Sequence, residues 1–129
     1  MEKSEDDLVK AWTAFYEADP EIPRREDDPN QWASDSLMLL ELKDPERTLN
    51  FIIKIANYTS NENALGALSA GPLESILARY GERVIDTVER LAETDPKFQN
   101  LLGGVWRNAM TDAIWRRVLI LQERAGHEH

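Results

Sequence analysis

The chain has 129 residues, of which 42% are hydrophobic and 30% charged, enough apolar material for the core of one globular domain and too much for a disordered chain. It has no cysteine, which excludes disulfides, thiolate metal sites, iron–sulfur clusters and cysteine nucleophiles. A formal net charge of −9 repels phosphate backbones and so disfavours general nucleic-acid binding.

The chain begins Met1-Glu2-Lys3-Ser4-Glu5-Asp6-Asp7, acidic where a secretory signal needs a basic start and then an apolar run. No apolar stretch approaches the roughly 20 residues of a membrane helix. No membrane attachment is expected, and the cytoplasm is the expected location. The charge is uneven: residues 1–30 carry a net −6 and residues 97–124 a net +3. Two readings compete. The favoured one has the two ends neutralise each other within one domain; the sharper one has an acidic face offered to a basic partner.

The punctuation is helical. Ser4 is a natural first cap, and Leu8, Val9, Trp12, Phe15 and Tyr16 then form one apolar stripe at helical spacing. Residues 19–30 carry three prolines and many charges, which predicts the longest loop. A second helix is predicted over Gln31 to Leu42 with Trp32, Leu37 and Leu40 inward. Asp44-Pro45 opens a third, running to about Tyr58, since Asp caps the exposed N–H groups and Pro at the first position loses no hydrogen bond. Its stretch Phe51-Ile52-Ile53-Lys54-Ile55 has strand propensity, but Leu49, Ile52, Ile53 and Ala56 keep helical spacing. It is apolar on more than one face, which predicts a central position. Ser60 is read as the cap of a short helix through Ala64, Leu65 and Leu68. Gly71-Pro72 is read as a fresh start, with Leu73, Ile76, Leu77 and Tyr80 inward and Gly81 as its end. Val84, Ile85, Val88, Leu91 and Ala92 mark the next helix. Asp95-Pro96 opens another with Phe98, Leu101 and Leu102, broken at Gly103-Gly104. Ile114, Trp115, Val118, Leu119 and Leu121 mark the last.

These elements predict an all-α fold, a compact bundle of seven or eight short helices, orthogonal or stacked in a HEAT-like manner. One helical domain over 1–129 is expected, with a charged loop near 19–30 and a frayed tail from about 126.

Leu68-Ser69-Ala70-Gly71-Pro72-Leu73-Glu74-Ser75-Ile76-Leu77 with Tyr80-Gly81, and Asp95-Pro96-Lys97-Phe98 followed by Leu101-Leu102-Gly103-Gly104-Val105-Trp106, resemble the two marker blocks of an uncharacterised bacterial domain family of unknown function. The Leu8 to Tyr16 helix and the Asp44-Pro45 helix also fit. The resemblance implies a bacterial source and a compact helical domain, and supplies no activity or ligand.

No phosphate-cradling glycine loop, His-Glu-x-x-His or Gly-x-Ser-x-Gly is present, so the sequence leans away from an enzyme, and no cofactor or metal is expected. The two histidines, His127 and His129, fall in the last three residues, where a tail is expected rather than a metal site. Four side chains stand as candidates for binding: Glu74, Tyr80, Trp106 and Arg107. Glu74 would need a cleft and a perturbed pKa to act as acid or base; as a helix-start residue it needs only exposed N–H groups. Trp106 would stack on a ligand and Arg107 hold an anion; the preferred alternative is a Gly103-Gly104 turn with Trp106 plugging the core. Each of the four tryptophans is assigned to an apolar helical position, with one or two left over for a groove.

The leading expectation is a small acidic protein-interaction module, for example immunity- or antitoxin-like, whose residues 1–30 steer a basic partner. The alternatives are a small-ligand binder or enzyme around Glu74, Tyr80, Trp106 and Arg107, and a structural adaptor or homodimer marked by an exposed apolar patch.

Overall fold

The computed structural model describes residues 3–125. The tail expected from about 126, with both histidines, lies outside them. The described residues are all helical, without strands: α1 Glu5–Glu17, α2 Gln31–Lys43, α3 Pro45–Tyr58, α4 Glu62–Leu68, a π-helical turn Ser69–Leu73, α5 Glu74–Thr94, α6 Pro96–Leu102 and α7 Asp112–Arg124. Because α4, the π turn and α5 run on without a break, these residues form six separate helical bodies rather than seven or eight.

Most helix starts follow local chemistry. The Ser4 hydroxyl accepts from the Asp7 N–H while the Asp7 carboxylate accepts from the Ser4 N–H, a reciprocal cap. Asp44 caps α3 through the Arg47 N–H, and Asp95 caps α6 through the N–H groups of Lys97 and Phe98. The cap of α4 is Asn61, whose side-chain oxygen accepts from the Ala64 N–H at 3.0 Å, not Ser60.

Two expected breaks do not occur. Gly71 does not cap a new helix; with Pro72 it lies inside the π turn. Proline in an ordinary helix loses one hydrogen bond and drives its ring into the carbonyl four residues back. The wider π turn makes room for the ring, and the Glu74 N–H reaches back to the Ser69 carbonyl. Gly81 does not end a helix either. The backbone leaves helical geometry at Tyr80 (φ −126°, ψ 28°) and resumes at once, so α5 is kinked there. Gly81 is needed for packing: a Cβ on it would stand 2.8 Å from Cγ1 of Ile114 in α7.

One apolar cluster runs through the molecule. Trp12 of α1, Leu37 of α2, Ile52 and Ile55 of α3, Leu68 of α4, Ile76, Leu77 and Ile85 of α5, Phe98 and Leu102 of α6, and Val118 of α7 are all buried in it. Helix α3 touches α1, α2, α5, α6 and the π turn, the central position that its two apolar faces predict. Three buried polar side chains donate to backbone: Thr13 to the Val9 carbonyl, Ser69 to Leu101, and the Gln122 amide N–H groups to both Leu102 and Val105. The last three bonds fix the turn after α6, and with it the segment between α6 and α7.

The close approach of α5 and α7 makes a specific expectation. Gly81→Ala should destabilise the chain by about 1–2 kcal/mol, because overpacking against a stiff β-branched side chain outweighs alanine's helix preference of roughly 1 kcal/mol. In an Ile114→Ala background the same change should become neutral or stabilising. Urea unfolding of the four members of that cycle measures the coupling; strict additivity would refute the contact's role.

Candidate functional site

The structure joins two of the four sequence candidates and turns the other two elsewhere. Glu74, at the start of α5, accepts a hydrogen bond from the Trp106 backbone N–H at 2.8 Å through Oε1 and from the Asn108 side-chain amide at 3.2 Å through Oε2. Asn108 holds a left-handed conformation (φ 49°), which asparagine tolerates better than most residues. Both carboxylate oxygens therefore brace the segment between α6 and α7. The helix-start role expected for Glu74 is replaced by this bond, since helix already precedes it. Trp106 is 61% exposed and sits in that segment, outside any helix, so it does not plug the core; Val105 and Met110 are the buried residues there. Trp12 is buried, whereas Trp32 and Trp115 pack partly buried against the core.

The Tyr80 hydroxyl donates to the Leu42 carbonyl at the end of α2, and Arg107 pairs with Asp112 at the start of α7. A cleft of about 340 Å³ is lined by Arg79, Tyr80, Arg83, Thr111 and Ile114. A second, of about 330 Å³, takes Ser75, Ala78, Arg79, Asn108 and Ala109. Glu74, Trp106 and Arg107 line neither.

The surface that sequence reasoning passed over is the outer face of α2. Met38 is 59% exposed, Leu39 54% and Leu42 48%. The signal was present: Leu37-Met38-Leu39-Leu40 and Leu42 place five apolar side chains within six positions, more than one helical face can turn inward at 3.6 residues per turn. Ala33, Ser34 and Leu37 take the core side, leaving Met38, Leu39 and Leu42 as a ridge between the exposed Asp35 and Lys43. A groove of about 360 Å³ flanks the ridge, lined by Leu8, Trp32, Ser36, Leu39, Leu40 and Phe51 together with Lys3, Ser4, Glu5 and Arg47. Arg47 stands 5.9 Å from the Phe51 ring centre, and Lys3 5.1 Å from that of Trp32.

On the other side of α2, burial pushes the Glu41 carboxyl above its ordinary value, against the opposing pull of Ser75 and Arg79. A carboxyl raised on folding binds its proton more tightly in the native state, so it favours folding at low pH and opposes it once ionised. Glu41→Gln should therefore be more stable than the parent at neutral pH. That advantage should shrink as pH falls through the raised value and into the ordinary carboxylate range; urea titrations across pH check it. Glu74→Ala should leave helix content unchanged, lower stability by about 1 kcal/mol, and speed hydrogen exchange of the Trp106 amide. An unchanged Trp106 rate would show that the brace is not needed.

Among the described residues, no helix is long and apolar enough to cross a membrane. No curated protein and no solved structure matches the chain. A family model matches residues 20–126, a span that begins after α1 and takes in the exposed face of α2 and the braced segment between α6 and α7. The chain accordingly belongs to that family, described as a family of unknown function (DUF6869).

Proposed function

We propose that the domain is a protein-interaction module whose contact surface is the outer face of α2. The carrying observation is the contiguous exposure of Met38, Leu39 and Leu42 beside an apolar groove. Large contiguous apolar patches are uncommon on monomeric surfaces and mark contact sites.

The charge distribution supports a steering role for the first thirty residues. Three of the five basic residues between 97 and 124 pair with carboxylates of α5 and α7: Arg117 with Asp86 and Glu89, Arg107 with Asp112, Arg124 with Glu93. Among the described residues no ion pair joins them to the acidic segment, whose own pairs run from Glu5 to Lys54 and from Asp27 to Arg25. The two ends therefore do not cancel by direct contact, and the net −6 of residues 1–30 remains a field that speeds encounter with a basic partner. An immunity- or antitoxin-like protein, which masks a basic surface, is the concrete form of this reading.

Capture from native lysate at low salt tests it. Tagged protein should retain a stoichiometric partner that Leu39→Glu loses by tenfold or more, with circular dichroism unchanged, and that added salt releases. A partner held equally by both proteins would remove α2 from the reading, and insensitivity to salt would remove the steering.

A further inference from the structure

We infer that the outer face of α2 is covered by a second copy of this chain, the two helices lying antiparallel about a two-fold axis through Leu39. The inference rests on α2 being a contact surface, as proposed above, and says what covers that surface when no basic partner is bound to it. Its ground is the order of charge along the exposed arc. Asp35 and Lys43 are both exposed and stand four residues to either side of Leu39. An antiparallel two-fold sets each copy's Asp35 opposite the other's Lys43, with Met38, Leu39 and Leu42 meeting between them. A parallel pair would set aspartate on aspartate and lysine on lysine. Gln31 donates to one oxygen of Asp35 at 3.1 Å, and the second oxygen can accept from the partner's lysine.

One further feature fits a second copy. Asp35 and Lys43 cancel, so the ridge carries no net charge on a chain whose total is −9, and the repulsion between two such chains is weakest there. A 13-residue helix is roughly 20 Å long and 10 Å wide. The contact is therefore smaller than the roughly 800 Å² per partner of standard interfaces, and the dimer should dissociate reversibly at micromolar concentrations.

Sedimentation of the full chain, from low micromolar to several hundred micromolar, tests this. The mass should rise from 14.8 kDa towards twice that value, and Leu39→Glu should keep it at the monomer with circular dichroism unchanged. Asp35→Lys presents two cations and Lys43→Asp two anions, so each alone should weaken the dimer by about fivefold or more, since two attractive pairs are lost and two repulsions gained. An equimolar mixture of the two variants should recover a dimer at least as strong as the parent's, because every facing pair is then of opposite sign. A parent that stays monomeric at every concentration overturns the inference; loss of a lysate partner on Leu39→Glu would still uphold the contact surface, so the two readings fail separately. A dimer indifferent to Leu39→Glu, or variants that fail to recover on mixing, would equally overturn it.

Discussion

The helical run from Glu62 to Thr94 is the constraint on which the remaining structure depends. Every other helix packs against some part of it: α1 on α4, α2 and α3 on the π turn and α5, α6 on both α4 and α5, and α7 on α5. Its continuity is unusual because it passes through a proline. An ordinary helical turn would have put the Pro72 ring against a carbonyl and ended the run. The π turn lets the chain pass, and Pro72 and Leu73 are buried there with Ser69. Ser69 donates from that turn to the Leu101 carbonyl, and a Cβ on Gly104 would stand 2.9 Å from its side chain. The irregular turn thus fits against the end of α6, and its shape sets where the following segment begins.

That segment is held from two sides. Gln122 takes two carbonyls of the turn after α6 into the buried interior, and Glu74 holds the Trp106 N–H and the Asn108 amide from the α5 side. Met110 and Val105 are its apolar anchors. A loop braced by a charged acceptor and a buried amide presents its exposed residues in a defined position. The chemistry at Glu74, Tyr80 and Arg107 is spent on such bracing: each links one helix, or one loop, to its neighbour.

Helix α2 contrasts with this. It is tied to the molecule along both edges, by the Ser34 hydroxyl to Tyr16 of α1 at 2.8 Å and by the Leu42 carbonyl to Tyr80 of α5. Its outer face offers apolar side chains to solvent. Exposure there has no counterpart inside the fold, since the core side of the helix is already filled by Ala33 and Leu37. The field of the acidic first thirty residues and the uncharged ridge of α2 serve different physical purposes, one acting at long range on encounter rate and the other at contact.

By itself the sequence determined the helical class, the starts at Ser4, Asp44 and Asp95, the long loop near 19–30 and the central place of α3. These are local matters: a cap is chosen by the three residues that follow it, and a two-faced apolar pattern has nowhere to lie except inside. The tertiary structure decided what depends on distant neighbours. Gly71 reads locally as a helix start and Gly81 as a helix end, yet one lies within a widened turn and the other makes room for Ile114, some thirty residues away in sequence. Trp106 reads locally as core, but two glycines and a left-handed Asn108 carry it to the surface. Glu74 reads locally as a helix-start acid, and only the fold brings the Trp106 N–H to it. The excess of apolar residues on α2 was visible in the sequence, but which of them would remain outside depended on how α1, α3 and α5 close around that helix. Periodicity counts apolar positions; only packing assigns each of them a neighbour.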